Sequence, residues 1–531
     1  MGYNGPKIPN QKAICREIIG ELLQEKTLTR KIMEKTAKKI CKKYNLPDIP
    51  SNVQILQLCS VEERRKLKDV LLMKPVRTIS GVTIITVASK PAKCPGSCIY
   101  CTRGENAPQS YIGLEPAIQR AIRNNYDPFL QISNRLEQYS LMGHPVDKIE
   151  LIIIGGTFLA LDKKYQEWFV RRLFDALNSK RSKNLQEAQR INETAKHRCT
   201  GLTIETRPDF CKEKHIDEML RYGVTRVEIG TQTIYPDILK VINRGHTLQD
   251  TIDAIRIARN AGLKITLHLM PNLPGSDLDK DLEMFKTIFE DQNFRPDYLK
   301  IYPTLVIKKS KLYEMWRRNE YKAYTTKELV ELLAKVKKYI PKYARIQRLG
   351  RDVPATEIES GCKKTNIREL VQQKTEELGI NCNCIRCREV GFKIKQGIFS
   401  EARHIKLCRM DYEASNGKEV FLSFEDTKND IILAFLRLRI PEESHRAEID
   451  SDTCLVRELK VMGTSVPIKL PPKKFQWQHR GYGKLLIKKA EEIVKEYGKK
   501  KLIVISAIGT RKYYLNLGYK RDNAYVSKIL T

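Results

Sequence analysis

The stretch Cys94-Pro95-Gly96-Ser97-Cys98-Ile99-Tyr100-Cys101 spaces three cysteines as CX3CX2C, and it follows directly on the β-branched run Val82–Ala88. The thiols therefore belong to the loop at that strand's C-terminal end. Working outward, β-branched runs recur at Ile149–Ile154, Leu202–Glu205, Arg226–Ile229, Lys264–Leu269 and Tyr298–Tyr302. Helical periodicity fills the intervals, at Ala117–Gln138, Lys164–Ala176, Leu248–Ala261 and Leu278–Glu290. Strands separated by helices need crossover connections, so the pattern predicts a parallel sheet. Six units fall short of a closed eight-fold barrel and predict an open, partial (β/α)6 barrel. Chemistry in such sheets gathers at the C-terminal strand ends, where polar or Gly-containing loops stand here: Gly155-Gly156-Thr157, Glu205 to Asp209, Gly230-Thr231-Gln232 and His268 to Pro271.

Three thiolates leave one iron of a [4Fe–4S] cluster without a protein ligand, open to an outside chelator. Cys94, Cys98 and Cys101 are so spaced, and the loop resembles that of radical S-adenosylmethionine (SAM) enzymes. There SAM is the chelator and the cofactors carry the radical chemistry. Gly155 and Gly156 mark a place where backbone can approach SAM closely, although a tight turn needs the same residues. A second group, Cys382-Asn-Cys384-Ile-Arg-Cys387 with Cys362 upstream, offers four thiolates for a closed structural zinc site.

The 531 residues carry 96 Lys+Arg against 63 Asp+Glu, a formal charge of +33, and 41% are hydrophobic. That composition predicts a folded, multidomain protein with a polyanionic partner and argues against global disorder. No run reaches the roughly 20 apolar residues of a membrane span, and Met1 to Gln11 lacks a signal peptide's apolar core. No membrane association and a cytoplasmic location are expected. In a reducing compartment the 14 cysteines suit metal ligation or core filling better than disulfides. Between Lys7 and Lys43 eleven Lys and Arg face four Glu, with Ile14, Ile18, Leu22, Ile32 and Ile40 at helical spacing. A basic, helical region over residues 1–75 that binds the phosphates of a nucleic acid is the sharper reading; a solvated helix face is the plainer one. Asn45 to Pro50 breaks the helical pattern.

Residues 76–360 then form the barrel, 361–395 a Cys-rich connector, and 396–531 a separate strand-rich domain. In the last, Glu419–Glu425, Ile431–Arg439 and Leu455–Val461 alternate like antiparallel strands, and a helix runs from Tyr482 to Tyr497. Between strand and helix lies Gln478-His479-Arg480-Gly481-Tyr482-Gly483, a Q/R-x-x-G-x-G/A pattern. Its small residues let backbone N–H groups face a pyrophosphate at a helix N-terminus. The strand Lys501–Ser506 and Tyr513-Tyr514 follow. That order is similar to acetyltransferases of the GNAT fold, which hold acetyl-CoA on such a loop with a tyrosine near the thioester. Aromatic packing under the sheet is the alternative for Tyr513 and Tyr514.

In this order the parts resemble the catalytic subunit family of Elongator, the tRNA uridine-34 modifying assembly. Asp127 to Gln131, Gly155-Gly156-Thr157-Phe158, Ile204 to Asp209, Asn243-Arg244-Gly245-His246-Thr247, Met270 to Pro274, Tyr302 to Ile307 and Gly509-Thr510-Arg511 carry the resemblance. It implies an enzyme that uses SAM and acetyl-CoA on the anticodon-loop wobble uridine of tRNA. A SAM-derived radical would take hydrogen from the acetyl methyl group; the carbon would join C5 of uracil, and loss of CoA would leave a carboxymethyl group. It further implies CoA contacts from Lys148, from Glu458, Leu459, Lys460 and Val461, from Trp477 to Arg480, and from Tyr514, and it makes Lys300 a candidate active-site residue. Partner subunits of an Elongator-like assembly are expected. Two other classes compete: a protein-lysine acetyltransferase with a structural cluster, for which a +33 chain is poorly charged, and a non-catalytic RNA-binding scaffold, for which intact cofactor motifs are surplus.

Overall fold

The structure, a computed structural model, describes residues 11–25, 27–44, 46 and 48–530. Lys7, Lys26, Asn45 and Pro47 of the sequence reading, and the C-terminal Thr531, lie outside them. Four helices open the described chain: α1 (Gln11–Gln24), α2 (Arg30–Lys43), α3 (Asn52–Leu58) and α4 (Val61–Leu71). Thr29 caps α2 by accepting from Ile32 N–H at 3.2 Å. Ile14, Ile18, Ile19 and Leu22 of α1 meet Met33 and Ile40 of α2 in a small core of their own. The Lys and Arg side chains of α1 and α2 are exposed. Arg16, Lys39 and Lys43 pair with Glu63, Glu21 and Glu17.

The next sheet has strands β1 (Thr83–Ala88), β2 (Lys148–Ile154), β3 (Arg198–Thr206), β4 (Arg226–Gln232), β5 (Lys264–Leu269), β6 (Tyr298–Ile301) and β7 (Arg345–Leu349), side by side in chain order and parallel throughout. The expected six strands are seven. β7, Arg-Ile-Gln-Arg-Leu, escapes sequence reading because its charged side chains look like surface. The long helix expected over Ala117–Gln138 is two, Pro116–Arg123 and Pro128–Leu141, since Pro128 cannot donate an N–H and Asp127 caps a fresh start by accepting from Leu130 N–H at 3.0 Å. The convex side buries Ile85, Leu151, Ile153, Leu202, Ile204, Val227 and Ile265 under the helices. The concave side is polar, carrying Glu150, Glu205, Arg226, Glu228, His268 and Lys300.

The second sheet is mixed, with β8 (Ile405–Glu413), β9 (Gly417–Asp426), β10 (Ile431–Pro441), β11 (Thr453–Val461), β12 (Lys501–Val504), β13 (Lys520–Asp522) and β14 (Tyr525–Ile529). Its order is β8-β9-β10-β11-β12-β14-β13. The single parallel pair, β11 with β12, runs only from Thr453–Lys501 to Val456–Val504. Beyond it β11 continues to Val461 without β12, and the two splay apart. Helix α5 (Tyr482–Glu496) packs Leu486, Ile487, Ala490 and Ile493 against this sheet. β8 is an edge strand with half its face exposed, which hid it from sequence reading.

The sheets meet over buried arginines. Arg439 donates to Asn260 Oδ1 at 2.8 Å, and Arg437 to the Tyr343 carbonyl at 2.7 Å. In the connector Arg388 pairs with Glu425, and Glu389 forms an ion pair with Arg345 of β7 at 2.7 Å. Among the described residues no helix is long and apolar enough to cross a membrane.

Candidate active site

Two cavities open at opposite ends of the half-barrel. The first, about 590 Å³, lies over the C-terminal strand ends, and Cys94, Cys98, Cys101, Gly156, Glu205 and Lys300 all face it. Each sulfur has an N–H partner: Gly96 N 3.4 Å from Cys94 Sγ, Arg244 Nη1 3.2 Å from Cys98 Sγ, and Gln109 Nε2 3.1 Å from Cys101 Sγ. Three free thiols, each with an N–H donor within hydrogen-bond reach of its sulfur, suit a [4Fe–4S] cluster. Asn243 braces the same loop by donating to Ser97 Oγ at 2.6 Å, and Arg244 is anchored on the Gly230 carbonyl at 2.7 Å. A Cβ on Gly96 would lie 2.0 Å from Arg207 Nη1, so any larger residue there would displace that guanidinium. Gly155 and Gly156 end β2 with φ of +129° and +73°, and a Cβ on Gly155 would lie 2.2 Å from Ser89 Oγ. Both glycines are needed for backbone reasons at the rim of the cavity.

Lys300 sits at the cavity floor with its ammonium between Glu205, 3.1 Å away, and Glu228, with which it makes a short ion pair. His268 Nε2 lies 3.0 Å from the same Glu228 oxygen. Glu205, Glu228 and His268 form a compact donor group, and Lys300 is its cation. Burial opposes charge on both partners, yet the attraction prevails: Lys300 is raised above its ordinary pKa and Glu228 is held well below the carboxylate range, chiefly by Lys300. Sequence reading found Lys300, placed Arg207, Arg244 and His268 within quoted stretches without giving them a role, and missed Glu228. The signal available was a charged or polar residue at every second position of strands that should read as unbroken apolar runs.

The second cavity, about 620 Å³, lies at the N-terminal ends of β2 to β5 and reaches into the splay between β11 and β12. Lys148, Glu458, Leu459, Lys460, Val461, Trp477, Gln478, His479, Arg480, Gly481, Gly483, Tyr513 and Tyr514 all line it. Gly481, at φ +90°, precedes α5. Not every side chain here is available to a ligand. Gln478 ties the sheets together, donating to the Gly81 and Val461 carbonyls at 3.1 Å and accepting from Lys148 at 2.5 Å. Glu458 accepts from Arg437 Nε at 3.0 Å and makes a short hydrogen bond with Tyr298. Burial lowers Lys148 to about 8. Tyr514 is buried and meets Tyr513 edge-on at 5.1 Å. Tyr513 is partly exposed, and burial pushes its phenol up to about 12.

In the connector the sulfurs of Cys382, Cys384 and Cys387 lie within 4.8 Å of one another, as close as ligands of one tetrahedral ion. Cys362 does not join that group: it is buried in a cavity of about 170 Å³ beside Leu349, Gly350 and Ile367.

A seven-stranded parallel half-barrel carrying a CX3CX2C loop at its C-terminal mouth defines a radical SAM enzyme, a class whose chemistry rests on a [4Fe–4S] cluster and SAM. Residues 90–288 match the Radical SAM superfamily, 296–377 the Radical_SAM C-terminal domain and 11–79 the ELP3 N-terminal domain. The tRNA uridine(34) acetyltransferase of Methanocaldococcus jannaschii is 51% identical over 98% of both chains. Human Elongator complex protein 3 is 42% identical over 97% of this chain and 96% of its own. A solved structure of Methanocaldococcus infernus Elp3 lacking its N-terminus (1–46) is 50% identical and superposes with a TM-score of 0.77, covering 85% of this chain and 100% of that one. The chain belongs to the Elongator complex protein 3 family and, as a member, is an enzyme.

Proposed function

We propose that the protein joins the methyl carbon of acetyl-CoA to C5 of the wobble uridine of tRNA in place of the C5 hydrogen, which leaves as a proton while its electron returns to the cluster, and that water then cleaves the thioester to release CoA and leave a carboxymethyl group, with SAM in the first cavity and acetyl-CoA in the second. The observation that carries this reading is the single half-barrel with three thiols at one end and a glycine loop beside splayed strands at the other. The names of the relatives, tRNA uridine(34) acetyltransferase and Elongator complex protein 3, supply the substrate and suggest partner subunits.

Cys94, Cys98 and Cys101 would hold the [4Fe–4S] cluster, which when loaded supplies the electron that cleaves SAM. Gly156 and the Gly155 carbonyl region would accept SAM at the cavity rim. Lys300, held by Glu205 and Glu228, presents a fixed positive charge to the reacting uracil or acyl oxygen. The second sheet, with its β11–β12 splay, Gly481 to Gly483 and α5, has the order of a GNAT acetyl-CoA site: N–H groups at the α5 N-terminus and Lys148 would take the phosphates, and Tyr513 and Tyr514 stand at the thioester end. Cys382, Cys384 and Cys387 would bind zinc, with the fourth ligand other than Cys362. The exposed Lys and Arg of α1 and α2 would meet the tRNA backbone. A chain with 14 free thiols suits a reducing cytoplasm.

The test uses reconstituted enzyme, SAM, tRNA and acetyl-CoA deuterated in its methyl group. Deuterium should appear in 5′-deoxyadenosine; turnover without it would refute direct hydrogen transfer.

A further inference from the structure

The two cavities are closer than their opposite entrances imply. Along β2, Glu150 lines the second cavity and Ile152 the first; along β3, Thr203 lines the second and Glu205 the first. Each pair occupies consecutive concave positions, about 6.6 Å apart by strand geometry. Between the cavities lies one layer of side chains. Arg226 of β4 lines the second cavity, while Glu228 beyond it and Thr266 of β5, its register partner, line neither.

That layer is buried and polar, and its hydrogen bonding is incomplete. Arg226 pairs with Glu150 at 2.7 Å, but its Nε is 3.6 Å from Glu228 Oε1. Arg226 Nε and Nη2, Glu228 Oε1 and Thr266 Oγ1 have no hydrogen-bond partner. Unsatisfied buried donors and acceptors cost about 1–3 kcal/mol each, so a layer holding four of them favours the entry of a polar group. Arg226 is 3% exposed and lines the inner end of the second cavity, so its guanidinium is the donor nearest to a carbonyl oxygen that passes inward from there.

We infer that the half-barrel lumen is a passage through which the acyl end of a CoA thioester reaches the first cavity, and that Arg226, Glu228 and Thr266 form its constriction. Arg226 donates to the thioester carbonyl as it arrives, while the Glu228–Lys300 ion pair closes the far side. The inference rests on the assignment of CoA to the second cavity.

A ladder of CoA thioesters from acetyl to octanoyl, added to the wild-type holoenzyme with SAM, tests it without requiring any transfer reaction. Octanoyl-CoA should displace labelled acetyl-CoA and, by threading its chain into the first cavity, lower SAM cleavage roughly tenfold. If octanoyl-CoA fails to displace acetyl-CoA, or displaces it and leaves SAM cleavage untouched, the lumen is closed and the inference falls. The variant Thr266→Met fills the constriction. It should bind CoA itself and cleave SAM as the wild type does, yet lose deuterium transfer from acetyl-CoA by on the order of a hundredfold. Wild-type transfer in a folded Thr266→Met protein would overturn the passage. Absence of deuterium transfer in the wild type would instead refute the proposed function, and the octanoyl result would stand apart from it.

Discussion

Arg457 reaches across the seam between the two sheets and holds Asp297 with two hydrogen bonds, Nη2 to Oδ1 at 2.7 Å and Nη1 to Oδ2 at 2.8 Å. The same guanidinium donates to Glu419 Oε2 at 2.8 Å, and Asp297 also accepts from the backbone of Ile265 at 2.8 Å. All three side chains are fully buried. Burial alone would favour the neutral acid, but Arg457 and Arg437 hold Asp297 far below the carboxylate range. The seam is thus a fixed charge lattice, and its geometry sets how the second sheet faces the half-barrel.

Asp297→Ala strands two buried guanidinium groups and should cost about 3–5 kcal/mol in urea unfolding. The acid side follows from the sign of the shift. A carboxylate whose folded pKa lies below its unfolded value of about 3.9 contributes fully above that pH, and loses the contribution as the pH falls towards the folded value. Asp297→Asn should therefore flatten the acid limb of the stability curve; an unchanged limb would show that other carboxylates control it.

Replacing Cys94, Cys98 or Cys101 by Ala should abolish the iron–sulfur absorbance of the reconstituted enzyme and SAM cleavage with it. Cys384→Ala should leave both intact and remove zinc, read by elemental analysis. Equal loss of iron and zinc from either set would mean that the two groups do not act separately.

Lys148 is lowered to about 8, chiefly by burial. A bound CoA phosphate favours the charged ammonium, so binding takes up a proton once the free lysine begins to lose it. Affinity for CoA should therefore fall as pH rises through about 8, and Lys148→Met should bind more weakly and without that pH dependence. A Lys148→Met protein with the wild-type pH profile would place the titrating group elsewhere.

Deleting residues 1–75 should weaken tRNA binding and reduce the slope of log affinity against log salt by up to about 0.9 for each phosphate that the arm neutralises. Cluster assembly should be unaffected, because the helices α1 to α4 close their own small core. Unchanged affinity and slope would make the basic arm a solvated face.

The placement of the chemistry was legible in the sequence, and the interior was not. The CX3CX2C loop, Gly155-Gly156 and Gln478 to Gly483 declare themselves because small residues and thiols at strand ends have few structural uses. Arg226, Glu228 and His268 look instead like strand residues that ought to face water, and only the curl of the sheet turns them inward. β7 was hidden for the same reason, since Arg345 points its charge at Glu389 inside the protein. Cys362 shows the opposite error: nearness in sequence to a thiol cluster suggested a ligand, and packing beside Ile367 placed it elsewhere. Gln478 lies in the glycine loop as expected, but its side chain joins two sheets that sequence reading treated as separate domains.

Because the cavities open at opposite ends of one half-barrel, a molecule entering either does not cross the entrance of the other. In kinetic terms this is a random-order scheme. Initial-rate lines for the two small ligands should intersect, and an inert analogue too short to reach beyond its own cavity should compete with its own counterpart alone. The large substrate need engage only one mouth, leaving the opposite one free to exchange its ligand while the polynucleotide stays bound.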